Sequence, residues 1–276
     1  MEHIMQIANR YMELERYAVN NANRMVIRAL DERLGRQVVL KGEPNNMASL
    51  IRTEANILAA INSRYVVTCF DIFSTDSMTF MSVEYYSKNT LEHLMAHHRK
   101  LDIARALPIA YCLLTALKDI NTFGYLHRDL CWKHLSYRDR SHMKLFDMGL
   151  AIECKHGGSV RNPSTDGTWE TMAPEEFKMN VPITAAANVY SAACLIYSLF
   201  AGYYPLEYKL LIPDWVARFS HQSNIEKNAQ YELHLTGTID WSPIPVHLRS
   251  PLAKALAKDP AHRYQSAGEF AQQLMQ

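Results

Sequence analysis

Three side chains could share the work of moving a phosphoryl group. That reaction needs a cation on the phosphates, a carboxylate to hold a metal ion, and a second carboxylate beside the attacking hydroxyl. The sequence offers a candidate for each. Lys41 follows Val38-Val39-Leu40, and two-residue alternation puts Val39 and Lys41 on one face of a strand, where an apolar wall and a cation would line one pocket. Asp129 stands in Tyr125-Leu126-His127-Arg128-Asp129-Leu130-Cys131-Trp132-Lys133-His134. Asp147 stands in Lys144-Leu145-Phe146-Asp147-Met148-Gly149-Leu150-Ala151, which reads as a strand running into a turn.

The elements that must position these groups follow from periodicity. Met25 to Ala29 and Gln37 to Lys41 read as two strands joined by a hairpin at Leu34-Gly35-Arg36. After Pro44, apolar residues recur at Met47, Leu50, Ile51, Ile57, Leu58 and Ile61, which is helical spacing. Glu54 falls on that apolar face. A buried carboxylate is costly unless a cation meets it, and Lys41 is the natural partner. From about residue 90 the pattern turns helical, with Leu91 to His98 and Ile103 to Asn121 as helices, short strands from Tyr125 to Ala151, a polar loop from Lys155 to Gly167, and a helical remainder. A small strand-rich lobe before a large helical lobe is expected, without internal repeats or a linker.

The bulk composition narrows the function classes. The chain has 276 residues, about half of them apolar, and a formal net charge of +1, with Lys and Arg scattered. Nothing suggests a nucleic-acid or membrane-surface footprint, and small molecules or proteins are the expected partners. Five cysteines without a Cys-x-x-Cys pair argue against both a disulfide framework and a zinc site, and point to a cytoplasmic setting. The start, Met1-Glu2-His3-Ile4, lacks a basic residue run before an apolar one, so no secretory signal is expected. Val189 to Tyr204 is strongly apolar, yet Tyr190, Ser191 and Ser198 interrupt it and Gly202 and Pro205 end it; it reads as a central buried helix and not as a span. With no expected segment beyond residue 276, regulation would come through surfaces of the domain itself.

Further motifs stand in order along the chain: Gly167-Thr168 precedes Met172-Ala173-Pro174-Glu175-Glu176, and Lys258-Asp259-Pro260-Ala261-His262-Arg263 lies near the end. Together with Lys41, Glu54, the Asp129 loop and the Asp147 turn, they resemble a eukaryotic-type protein kinase domain of the bacterial serine/threonine kind, from about residue 17 to 275. The resemblance implies an α+β, two-lobed fold in one domain over residues 1–276, with the N-lobe at about 12–86 and the C-lobe at about 87–276. It implies ATP with Mg²⁺ as cofactor, a protein substrate or binding partner, and γ-phosphoryl transfer to a protein hydroxyl. By the same analogy Lys41, paired with Glu54, holds the α- and β-phosphates, Asp129 accepts the hydroxyl proton, and Asp147 binds metal. Thr168 would contact Asp129, and Arg128 would receive a phosphate on the segment from Asp147 to Glu175, where Ser159, Ser164, Thr165, Thr168 and Thr171 are candidate sites. Glu84 and Tyr86 would offer hinge backbone to adenine behind Val83, with Val26, Val39 and Ser136 lining the base. Glu175 with Arg263 would lock the helical lobe.

The pattern departs from the family around the nucleotide. The glycine-rich loop belongs at Val19-Asn20-Asn21-Ala22-Asn23-Arg24, which has no glycine; Asn tolerates positive φ better than other side chains, and Arg24 could add a phosphate contact. Val39 replaces a smaller alanine, and Ser136 a leucine. His134 replaces the Asn metal ligand, which favours Mn²⁺ or a single metal, or else a structural hydrogen bond inside the loop. Cys131 takes the place of a lysine at the transferred phosphate and reads most simply as packing. Lys133 either supplies that cation or is a surface lysine. Asn188 replaces an aspartate that braces the loop. Two contacts compromised by about 100-fold each would slow a kinase to roughly 0.0001 to 0.01 per second. A low-activity serine/threonine kinase is therefore the first expectation, a pseudokinase scaffold the alternative, and transfer of another group from ATP the third.

Overall fold

The computed structural model describes residues 6–19, 24–139, 142–155, 157–207 and 224–276. The glycine-free turn expected over Asn20 to Asn23 lies outside them. The first lobe is a six-stranded antiparallel sheet in the order β1-β2-β3-β4-β6-β5, formed by β1 (Gln6–Ile7), β2 (Tyr11–Val19), β3 (Met25–Asp31), β4 (Arg36–Pro44), β5 (Cys69–Ser74) and β6 (Met78–Glu84). Helix α1 (Ala48–Ala60) crosses it.

The Val38-Val39-Leu40 run is apolar on both faces because both faces are covered. Val38 and Leu40 join Ile7, Tyr11, Ile27, Ala29 and Phe80 in a cluster on one side. Val39 faces the other way and belongs to the main core, which continues into the helical lobe. Strand alternation then aims Lys41 to the side of Val39, as expected. The hairpin closes at Asp31, whose buried carboxylate takes the Arg10 fork at 2.8 and 3.0 Å. On α1 the buried face is Ile51, Glu54, Ala55, Ile57 and Leu58. Leu50, placed on that stripe by spacing, is instead 52% exposed at the mouth of a cleft.

The second lobe holds α2 (Leu91–His98), α3 (Ile103–Thr122), α4 (Ala185–Ala201), α5 (Asn224–Thr236), α6 (Val246–Ala255) and α7 (Ala267–Leu274). Three small ladders complete it: β7 (Tyr125–Leu126) with β10 (Ile152–Glu153), β8 (Leu135–Asp139) with β9 (His142–Leu145), and β11 (Val160–Arg161) with β12 (Pro182–Ile183). The last pair orders part of the stretch from Lys155 to Gly167 that reads as a loop in the sequence. Fifteen consecutive residues of α4, Ala186 to Phe200, are buried, so the apolar run is a core helix. Thr184 caps its start, and Gly202 ends it at φ 87°, where a Cβ would collide with the Arg99 carbonyl. No helix among the described residues is long and apolar enough to cross a membrane.

Candidate active site

The cleft between the lobes gathers most of the residues singled out by type and spacing. Lys41 Nζ lies 2.6 Å from Glu54 Oε1 and 3.7 Å from Asp147 Oδ1. Glu54 Oε1 also accepts the Met148 amide at 3.2 Å, so one carboxylate ties β4 to the turn that carries Asp147. Burial opposes the Lys41 charge, yet Glu54 and Asp147 hold its ammonium above the ordinary value. Burial would raise Asp147, but Lys41 and His134 bring it down to about 2. Asp147 sits at φ 69° and Arg128 at φ 68°, the left-handed region that non-glycine residues enter at a cost.

Arg128 is held there by its own guanidinium, which donates to Leu150 O at 3.3 Å, Asn162 Oδ1 at 2.8 Å and Ser164 O at 2.6 Å. It therefore grips the segment after Asp147. Asp129 Oδ1 accepts from Thr168 Oγ1 at 2.7 Å. Gly167 permits that approach, since a Cβ there would lie 2.9 Å from the Arg128 carbonyl. His127 is fully buried; its Nδ1 accepts the Asp129 amide at 3.2 Å, and its own amide donates to Asn188 Oδ1 at 3.3 Å. Burial, then the neighbouring His134, lowers the His127 imidazole to about 4. The Asn188 side chain thus keeps a neutral brace under the loop.

The short 3₁₀ turn Trp132–His134 sorts three side chains to different places. Trp132 Nε1 donates to Ser198 Oγ on α4 at 2.7 Å and anchors the turn. Lys133 points outward, 70% exposed and 3.9 Å from Glu92 on α2. His134 points inward. Its Nδ1 lies 2.8 Å from the Asp129 carbonyl oxygen and 3.6 Å from Asp129 Oδ2, while its Nε2 lies 3.8 Å from Asp147 Oδ2. Burial would lower this imidazole, but the hydrogen bond to Cys131 and the charges of Asp147 and Asp129 push it up to about 10.

On the side of the strands, a cleft of about 450 Å³ is lined by Arg24, Val26, Lys41, Glu54, Asp147 and Gly149 among others. Arg24 is 2.9 Å from Glu43 in this wall. A lysine beside two carboxylates is the donor set that a metal-bound polyphosphate requires, so this end of the cleft fits one. At the hinge end, side chains are engaged with one another. Glu84 turns its carboxylate to Lys144 Nζ at 2.7 Å, and Ser136 donates to Ser87 O at 2.9 Å, so both side chains brace the hinge. The Tyr86 ring is buried, 6% exposed, and stacks on Phe146 at 4.3 Å and 14°. It comes within electrostatic reach of Lys41, Glu54 and Asp147. Sequence reading singled out the Tyr86 backbone and missed this stack; an aromatic just before Asp147 was the only signal. It also missed that Cys131 adjoins His134 and Asp129.

Glu175 and Arg263 form a bidentate pair at 2.7 and 2.9 Å, with the Arg263 side chain fully buried.

The family model for the protein kinase domain matches residues 25–276 of the chain. A probable serine/threonine-protein kinase of Streptomyces coelicolor is 28% identical over 257 residues, covering 89% of this chain and 36% of that protein. A probable serine/threonine-protein kinase of Clostridium acetobutylicum is 23% identical over 275 residues, covering 97% and 40%. Another, of Corynebacterium glutamicum, is 25% identical over 280 residues, covering 97% and 42%. The chain therefore spans roughly two fifths, or less, of the length of these relatives.

Proposed function

The chain belongs to the protein kinase domain family, and on that premise we propose that it transfers the γ-phosphoryl group of ATP to a serine or threonine hydroxyl of a protein, slowly. The observation that carries the reading is the joined constellation of Lys41, Glu54 and Asp147 at 2.6 and 3.7 Å, facing an Asp129 fixed by Thr168 at 2.7 Å. In this reading Lys41 orients the phosphates, Glu54 holds Lys41, and Asp147 holds the metal ion with His134 beside it. A bound divalent ion would neutralise charge on the phosphates. Asp129 takes the hydroxyl proton at Oδ2, since Oδ1 is occupied by Thr168. Arg128 keeps the segment through Ser164 in place, and Val26, Val39 and the Glu84 to Tyr86 backbone border the base.

Slowness follows from two features. His134 brings an imidazole, a poor ligand for magnesium, where an amide oxygen would serve. In this reading the Tyr86 ring, stacked on Phe146 beside the hinge, gives way before the base seats. These same features favour a second reading, a pseudokinase that presents surfaces to a protein partner. The two readings separate in one assay. Transfer of labelled γ-phosphate to a generic protein, lost in Asp129→Asn and in Lys41→Met, supports the kinase; transfer that persists in Asp129→Asn excludes it. No transfer from well-folded wild-type protein, with Mg²⁺ or Mn²⁺, leaves the scaffold.

A further inference from the structure

We propose that Asp129, Cys131 and His134 form a binding site for a thiophilic divalent cation, Zn²⁺ above all, at the heart of the catalytic loop. Two of the departures from the family pattern meet here. Where the family resemblance implies a lysine and an amide, the chain carries a thiol and an imidazole, which turns a cationic, oxygen-donor corner into a sulfur and nitrogen one. Soft donors of that kind select zinc over magnesium.

The geometry supports the substitution. One carboxylate oxygen of Asp129, Cys131 Sγ and one nitrogen of His134 all lie within 4.8 Å of one another, and this is the one such group of three donors found among the described residues. Zinc bonds of about 2.0 Å to N and O and about 2.3 Å to S place tetrahedral donors roughly 3.2 to 3.8 Å apart, so contraction by about 1 Å would close the site. The scaffold holds the donors still. His134 Nδ1 lies 2.8 Å from the Asp129 carbonyl, Trp132 anchors the turn to α4 at 2.7 Å, and Thr168 occupies Asp129 Oδ1, leaving Oδ2 for a metal. Cys131 is 6% exposed at the base of the group, whereas the Asp129 and Asp147 side chains are 20% and 37% exposed. The fourth position thus faces the cleft, where water or Asp147, 3.8 Å from His134 Nε2, completes the shell.

Binding forms Zn–S, Zn–N and Zn–O bonds and releases both the Cys131 thiol proton and the His134 imidazolium proton to solvent, with no change of oxidation state. Two anionic donors then balance the dication. Occupancy takes Asp129 Oδ2, the atom assigned above to the substrate proton, so the zinc form does not transfer phosphate. That consequence rests on the proposed function, whereas the site itself does not.

The test uses the metal-free chain with no nucleotide present. Titration with Co²⁺ as a spectroscopic stand-in should give a thiolate-to-cobalt charge-transfer band in the near ultraviolet at one equivalent. The band should vanish in Cys131→Ser and persist in Cys69→Ser. In His134→Asn, Zn²⁺ affinity measured against a chromophoric chelator should fall by at least about tenfold. Absence of the band in folded wild-type protein, or its survival in Cys131→Ser, overturns the site whatever the kinase assay shows.

Discussion

The ring of Tyr86, at the hinge, lies face to face with the ring of Phe146, one residue before Asp147, at 4.3 Å and 14°. The pair joins the two lobes across the cleft, and it sits in the space between the hinge and the lysine of β4. An aromatic stack contributes about 1 kcal/mol beyond its buried area.

Removing the ring should therefore favour nucleotide. In Tyr86→Ala the affinity for ATP with Mg²⁺ should rise by about fivefold, the equivalent of one stack given up. The same change opens a cavity and should lower stability by about 3 kcal/mol. Calorimetric titration of both proteins with ATP checks the first effect, and equal affinities would show that the ring does not gate the cleft.

The pair of Lys41 and Glu54 is largely withdrawn from water, with side chains 18% and 8% exposed. Lys41→Met should leave the buried Glu54 carboxylate without its cation and cost on the order of 3 kcal/mol, read as a lower midpoint in urea. Adding Glu54→Gln should restore part of that loss. A double variant no better than the single one would mean that the ion pair is not the source of the penalty.

Arg263 is heavily hydrogen-bonded: besides both Glu175 oxygens it donates to the carbonyls of Ala257, Ala186 and Lys258. Lysine cannot reproduce a fork aimed at a carboxylate and three carbonyls. Arg263→Lys should destabilise the fold by about 3 kcal/mol. Thermal denaturation that hardly shifts would contradict this.

Glu176 makes stability fall with pH. Burial, opposed by the Ala173 amide at 3.0 Å, raises its carboxyl to about 7 from an ordinary 4.5. The folded chain thus retains a proton there that the unfolded chain has lost, so the contribution is fully present below about pH 4.5 and disappears as pH rises through 7. Glu176→Gln should remove this slope. At pH 8 it should be more stable than wild type by on the order of 2 kcal/mol, and near pH 4.5 little different. Denaturation midpoints across that range provide the check, and parallel curves for the two proteins would refute the assignment.

Much of this site is legible in the residue order. Glu54 on an apolar helical face demands a cation, and Lys41 on an alternating strand is close enough in sequence for the hairpin and α1 to bring it there; the 2.6 Å pair follows. The Thr168 contact to Asp129 and the Glu175 fork on Arg263 follow from motifs in the family order. Lys133 shows the opposite case. Its type suits the chemistry, but a single 3₁₀ turn sends it to Glu92 and sends His134 inward.

The sequence by itself determined the two-lobed fold and which residue types stand at the phosphate end, because periodic apolar spacing and short motifs are local properties. Only the tertiary structure decided what fills the hinge end and what surrounds His134. Tyr86 and Phe146 lie on different elements, and nothing in either neighbourhood says which way a ring will turn. That choice depends on the space left when the lobes close, as does the meeting of Asp129, Cys131 and His134 with Asp147.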